Sequence, residues 1–238
     1  MTILNNFQAD QPYLLLGSRG WNAEIFQGYT SRLPGRWIFI ATPEDLNVQE
    51  VSTIAPRYLF FLHWSWKVPD EIIERYECVC FHMTDVPYGR GGSPLQNLIV
   101  RGHQFTKLTA LRMSHEFDAG PVYLKRDLGL GGNAEEIYMR ATHLSFEMIE
   151  QIVKTQPEPQ PQVGEAVVFK RRKSADSELS QLQSLDQIHD QIRMLDAEGY
   201  PQAFIEHGGF RFEFSRSALY NGRVVADVTI TPIEECDS

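Results

Sequence analysis

The apolar positions of the first half fall into short runs, at 13–16, 37–40, 58–62, 78–81, 108–113 and 122–124, with polar residues, Gly or Pro between them. Runs of this length without helical spacing predict buried strands. Between them the pattern turns helical. Residues 23–29 read as a helix with Asn22 as its cap, and another starts at Pro69, with Asp70 and Glu71 complementing the dipole of its first turn. A third is marked at both ends: Ser93 caps it, Pro94 takes its first position, Leu95, Leu98 and Ile99 make its apolar stripe, and Gly102 stops it. The clearest helix covers 134–153. Asn133 and Glu136 can close a capping box at its start, and Ile137, Ala141, Leu144, Met148 and Ile152 share one face. Strands alternating with helices predict an α/β domain whose sheet is covered on both sides.

After that helix the pattern changes. Residues 156–162 read QPEPQPQ, a Pro-rich polar stretch without periodicity, which marks a linker. The expected division is a main α/β domain over residues 1–155 and a small mixed α+β module over 163–238. In the module, strands are expected near 167–170, 210–214 and 223–230, and a helix near 185–195.

Composition narrows the class. Of 238 residues, 42% are hydrophobic, enough for one compact core with an appendage and too many for a chain that is mainly disordered. Lys and Arg number 22 against 31 Asp and Glu, and the resulting charge of −9 repels a phosphate backbone, so no nucleic acid partner is expected. Cys78, Cys80 and Cys236 are too few for a disulfide framework and suit a reducing compartment. The N-terminal stretch has neither the basic start of a signal peptide nor an apolar run of membrane length. The expectation is a soluble cytoplasmic protein with no membrane partner, and a homodimer is compatible with the sequence.

Several motifs invite a chemical reading. Gly129-Leu130-Gly131-Gly132-Asn133-Ala134 fits a dinucleotide fingerprint superficially, but the acidic residue needed further on would lie inside the long helix, so a plain turn accounts for it better. The cations Lys170-Arg171-Arg172-Lys173 could bind phosphate or form a solvated strand end. The thiols of Cys78 and Cys80 are expected on opposite strand faces and so not to clasp one metal, while Cys80, two residues from His82, shares its face, which leaves a nucleophilic Cys80 and a packed core cysteine both open. The segment least explained by packing runs from Cys80 to Pro94: a buried strand ends at His82, and a loop with Thr84, Pro87, Tyr88, Arg90 and three Gly leads into a helix. Ligands of open α/β sheets bind at the carboxyl ends of strands. Asp118, between two apolar runs, lies on a connection able to return to that edge and pair with His82 for proton transfer.

Together, His82, Thr84, Pro87, Arg90-Gly91 and Pro94, followed by Asp118-Ala119-Gly120, resemble the signature of the folate-dependent formyltransferases, which act on glycinamide ribonucleotide, methionyl-tRNA or sugar nucleotides. That signature is a strand ending in Asn-x-His, a Ser-Leu-Leu-Pro loop leading to Arg-Gly, and a later Asp-Thr-Gly. A weaker likeness lies in Phe169-Lys170-Arg171-Arg172, Ile192-Arg193-Met194-Leu195 and Tyr200-Pro201-Gln202-Ala203-Phe204, which are similar to the tail of sugar formyltransferases. The resemblance implies a Rossmann-like formyltransferase domain with a small C-terminal module. It also implies transfer of a formyl group from the co-substrate 10-formyltetrahydrofolate to an amine, through a tetrahedral intermediate and with no metal. His82 takes the place of the family's catalytic histidine and Asp118 that of the carboxylate supporting it. The family's asparagine, an amide donor to the oxyanion, falls at Cys80, whose thiol lines the site and donates more weakly, and His63 and Thr84 are the polar residues placed to be considered in its stead.

Further contacts follow from the same likeness. The family's pterin loop falls on residues 63–69, so that His63, Trp64, Trp66 and Val68, with Asp118, are the implied folate contacts; the two tryptophans could equally pack on the sheet. Ser18 and Arg19, in the turn before the first helix, join Thr84, Tyr88, Arg90 and Gly91 as implied acceptor contacts, with a structural tight turn as the alternative for the first two. The acceptor follows by elimination. Net negative charge argues against tRNA, and glycinamide ribonucleotide enzymes lack the tail, which leaves an amino-dideoxy sugar nucleotide of a surface-glycan pathway. Two other readings compete: a non-catalytic folate- or nucleotide-binding relative in which the asparagine was lost, and an acyltransferase with another donor.

Overall fold

The computed structural model describes residues 11–30 and 32–233; Cys236 and the first ten residues, on which part of the N-terminal reading rests, lie outside them. In chain order the elements are β1 (Pro12–Gly17), α1 (Gly20–Thr30), β2 (Arg36–Ile40), α2 (Val48–Ile54), β3 (Tyr58–Leu62), α3 (Asp70–Arg75), β4 (Cys78–His82), β5 (Tyr88–Gly91), α4 (Pro94–Val100), β6 (Phe105–Arg112) and β7 (Val122–Gly129). They continue with α5 (Ala134–Thr155), β8 (Val167–Phe169), α6 (Leu185–Arg193), β9 (Ala203–His207), β10 (Phe210–Tyr220) and β11 (Arg223–Pro232). The chain divides into two compact units. One holds the chain up to Arg90 with Lys107–Leu128 and Met139–Val168; the other holds Gly91–Thr106, Gly129–Tyr138 and the chain from Phe169.

The first unit is built on a sheet in the order β2-β1-β3-β4-β6-β7, parallel from β2 to β4 and antiparallel between β4 and β6. The α/β architecture expected from the alternating runs is what forms. Because side chains alternate across a strand, each buried run supplies two faces. Leu14, Leu16, Leu59, Phe61 and Cys78 enter one core with Ile40, Val51, Val68 and Ile72. The alternate positions make an aromatic ladder, with Trp37 stacked on Tyr13 and Phe60, and Phe60 against Tyr58 and Phe81. Complete burial of Phe60 and Phe61 contributes about 2–3 kcal/mol each.

Helix α1 begins earlier than expected, so Asn22 is not its cap. It is fully buried inside the helix, and its amide donates to the Leu62 carbonyl across the ends of β1 and β3. Gly17 makes room for it: a Cβ there would meet the Asn22 amide nitrogen at 2.7 Å. Helix α2, with Asn47 accepting from the Glu50 amide as its cap, had no clear apolar spacing to announce it.

In the second unit the Asn133–Glu136 capping box forms at the start of α5 in both directions, each bond 2.9 Å long. The glycines before it are a turn: Gly132 has a φ of 89°, and the position about twenty residues on, where a dinucleotide site needs its acidic strand end, lies inside α5. Ser93 stands at the cap position of α4 but does not cap it; with φ at 50° its hydroxyl accepts from the Arg172 amide instead. Helix α6, capped by Ser184, packs with the sheet β11-β10-β9. Among the described residues no helix is long and apolar enough to cross a membrane.

Candidate active site

Cys78, Cys80 and His82 lie on one face of β4, the two thiols not on opposite faces as expected, and the strand ends at His82, next in the sheet to the end of β3. The chain then turns back through β5, which brings the Gly89 carbonyl over the imidazole. His82 Nε2–H donates to Gly89 O at 2.7 Å, and Thr84 Oγ1 donates to the same oxygen at 3.2 Å. A carbonyl only accepts, so the neutral ring carries its hydrogen on Nε2. Nδ1 faces Asp118, whose Oδ1 is 3.5 Å away. This gap is longer than a hydrogen bond and leaves Nδ1 and the carboxylate as the groups able to take or give a proton together. Both side chains are largely buried, at 9% and 18% exposure, so charge at this point is weakly screened.

Asp118 reaches this position through an unusual turn. Its φ is 54°, and Gly120, two residues on, is buried so tightly that a Cβ would stand 1.8 Å from the Arg112 carbonyl oxygen. Gln162 clasps the turn: its amide nitrogen donates to the carbonyls of Asp118 (2.7 Å) and Gly120 (2.8 Å). Its oxygen accepts from Arg90 Nε and Nη2 at 3.0 and 2.8 Å. Arg90 Nη1 also reaches Glu116 at 3.4 Å. The Pro-rich stretch is therefore held to this unit, and Gln160 exchanges two backbone bonds with Val122.

The remaining sequence candidates fall into distinct places. The Cys80 thiol is pushed up by burial, with the Asp118 charge and Cys78 adding to the effect, so it is a neutral group at the site and no ready nucleophile. Thr84 is fully buried and engaged with Gly89, so it neither lines an opening for an acceptor nor replaces the missing amide donor. His63 has a φ of 50°; its carbonyl accepts from Ser18 Oγ, and its Nε2 lies 2.9 Å from Thr142 Oγ1. Trp64 packs edge-on against Phe61 and Trp66, and its indole N–H is buried without a partner, while Trp66 is 44% exposed. Val68 belongs to the core beneath that loop and offers a ligand no side-chain surface. Arg19, in the turn before α1, and Tyr88, which opens β5, are partly buried, and Gly91 ends β5 with a φ of 99°. Arg90 holds the Asp118 turn and is not a free cation for an acceptor. Sequence reasoning missed Gln162, because a glutamine in a Pro-rich polar stretch carries no signal of what it binds; Gly120 was marked as the last residue of the Asp118-Ala119-Gly120 signature.

Residues 174–231 match the family model described as methionyl-tRNA formyltransferase, C-terminal domain. A solved methionyl-tRNA formyltransferase from Clostridium thermocellum is 45% identical, superposes with a TM-score of 0.91, and is matched over 93% of this chain and 99% of that one. The chain belongs to the formyltransferase family. A curated methionyl-tRNA formyltransferase of Thermodesulfovibrio yellowstonii is 22% identical over 158 residues, 63% of this chain and 51% of its own. The chain spans between 36% and 61% of the length of the first curated relatives it matches. HypX from Aquifex aeolicus, solved in complex with tetrahydrofolic acid, shares the fold at 18% identity with a TM-score of 0.72, over 86% of this chain and 37% of that one.

These findings overturn two expectations. The amino-sugar nucleotide acceptor, with its surface-glycan pathway, and the exclusion of nucleic acid both give way, since the 45% identical structure and the curated relatives are named for methionyl-tRNA. The likeness of the tail to sugar enzymes is replaced by the match to the methionyl-tRNA formyltransferase C-terminal domain. The physical error was to let a sum decide. A charge of −9 over the whole chain says nothing of local surfaces, and Lys170 to Lys173 place four cations in succession.

Proposed function

We propose that this chain transfers the formyl group of 10-formyltetrahydrofolate to a primary amine, and that the amine is the α-amino group of methionyl-tRNA. The observation that carries this reading is the His82–Asp118 pair at the carboxyl end of β4. It is supported by membership of the formyltransferase family and by the names of the relatives.

The loop after β3 suits a flat heteroaromatic ring. Trp64 and the half-exposed Trp66 form an aromatic wall, and the orphaned Trp64 N–H is a donor still lacking an acceptor. These two residues and the backbone of residues 63–68 would hold the folate, which when bound supplies the formyl carbon. The rest is done by the protein. His82, fixed by its Nε2–H bond to Gly89, presents Nδ1 as the atom that takes the proton lost by the attacking amine. Asp118 stabilises the imidazolium so formed, and burial of both groups strengthens that attraction. As the N10–formyl bond breaks, the same nitrogen can return the proton to the departing N10.

The test is to incubate the purified chain with 10-formyltetrahydrofolate and methionyl-tRNA, following tetrahydrofolate release and formyl-methionine after hydrolysis of the ester. Transfer that falls by about a hundredfold or more in His82→Ala and Asp118→Asn is expected. Absence of formyl-methionine, or equal rates in the two variants and the parent, would refute the reading.

A further inference from the structure

We infer that Gln162 is a positioning residue for the transfer proposed above: its carboxamide fixes the turn that carries Asp118, and so fixes the aim of that carboxylate at His82. The inference rests on that functional reading for its kinetic part and on geometry alone for the rest.

The bonding of Gln162 is complete. A carboxamide has two N–H donors and two acceptor lone pairs, and here both donors go to carbonyls on either side of Ala119 while the oxygen takes two bonds from one guanidinium. Only one orientation works, because a flipped amide would set oxygen against two carbonyl oxygens and N–H against N–H. The side chain is anchored from behind as well. Gln160 and Val122 exchange backbone bonds of 2.8 and 2.7 Å, and Val122 leaves the same turn that Gln162 clasps.

The turn needs such a clasp. Asp118 sits in the left-handed region at a φ of 54°, which a residue with a Cβ does not favour by itself. The carboxylate is joined to the chain by one methylene, so a small rotation of this backbone swings Oδ1 away from a ring nitrogen already 3.5 Å distant. Arg90 does not hold the two carbonyls itself: its Nε and Nη2 donate to the Gln162 oxygen and its Nη1 to Glu116. Nor is the contact merely a staple for the Pro-rich stretch, since the Gln160–Val122 exchange would hold that stretch without it.

The discriminating variant is Gln162→Glu. It has the same size and keeps an acceptor for Arg90, yet it has no N–H for the two carbonyls and sets a carboxylate oxygen against them. The staple survives and the clasp does not. Expected results are a change in the 15N shifts of the His82 ring in the ligand-free protein and a fall in kcat of about tenfold or more, with KM for the acceptor within about twofold. In an Asp118→Asn background the same substitution should cost less than about twofold, because the group being aimed is already gone. Unchanged ring shifts together with unchanged kcat in Gln162→Glu would overturn the inference, as would full additivity with Asp118→Asn. If the parent protein formylated no amine, the proposed function would fall, while the ring spectra would still decide whether Gln162 aims Asp118.

Discussion

Gly120 lies so close to Arg112 that a Cβ built on it would meet the Arg112 carbonyl oxygen at 1.8 Å. The obstacle is backbone, which cannot rotate aside as a side chain would. Gly120→Ala must therefore displace the turn, and a loss of about 3 kcal/mol is expected, at the upper end of overpacking effects. Urea unfolding measures it. The same shift moves Asp118, so residual folded protein should also lose transfer activity.

Asp118→Asn and His82→Ala should separate charge from shape. Asparagine tolerates left-handed backbone and keeps the size of the side chain, so its unfolding midpoint should stay near that of the parent while turnover drops by about two orders of magnitude or more. His82→Ala removes the ring that donates to Gly89 as well, and should lower stability by about 1–2 kcal/mol in addition. Parallel denaturation and rate measurements check both.

The two cysteines of β4 should resist alkylation. Burial pushes the Cys78 thiol up to about 12, so at pH 8 only about one molecule in ten thousand carries the thiolate. Iodoacetamide labelling followed by peptide mapping should leave Cys78 and Cys80 unmodified until the protein unfolds. A thiol raised in the folded state is protonated there while the unfolded chain ionises. Its stabilising effect is thus complete below the ordinary thiol range near 8.5 and is lost as pH rises towards 12, by up to about 1.4 kcal/mol per pH unit for each thiol. Urea titrations between pH 8 and 10 on the parent and on Cys78→Val should show the parent losing more.

Glu77 predicts the opposite pH dependence. Burial works against its carboxylate, but hydrogen bonds from Arg57 and Tyr123, with the Arg57 charge, more than offset this and hold it below the usual range. A depressed carboxylate stabilises the fold above the ordinary glutamate value near 4.3 and ceases to do so as pH falls through its folded value. Glu77→Gln should cost about 1 kcal/mol at neutral pH, since the pair is partly open to solvent, and the difference should close in acid. Thermal unfolding of both proteins across that range tests the sign.

What could be read in advance follows from what leaves a local mark. The runs at 58–62 and 78–81 are apolar enough that burial on both faces was their only use, and β3 and β4 form there. The Asn133–Glu136 box was legible because both partners lie within one turn. Asn22 was misplaced because its partner, the Leu62 carbonyl, lies far along the chain, and nothing near residue 22 reports it. Gln162 was hidden for the same reason. His82 and Asp118 stood out together, as a histidine closing a buried strand and an acid on a connection able to return to it, in segments that resemble the formyltransferase signature. The acceptor was misjudged because tRNA was excluded on a charge averaged over the chain, and the tail segments at 169–172, 192–195 and 200–204 were matched to sugar enzymes, where the tail instead matches the methionyl-tRNA formyltransferase C-terminal domain.

The left-handed backbone at Asp118 also bears on which substitutions the position would accept. In a saturation library at residue 118, a screen for folded protein alone should admit glycine and asparagine and reject valine and isoleucine, whose branched Cβ opposes that conformation. A screen for turnover should admit aspartate. Two selections on one codon would then return different alphabets, separating what the chain needs to stand from what it needs to work.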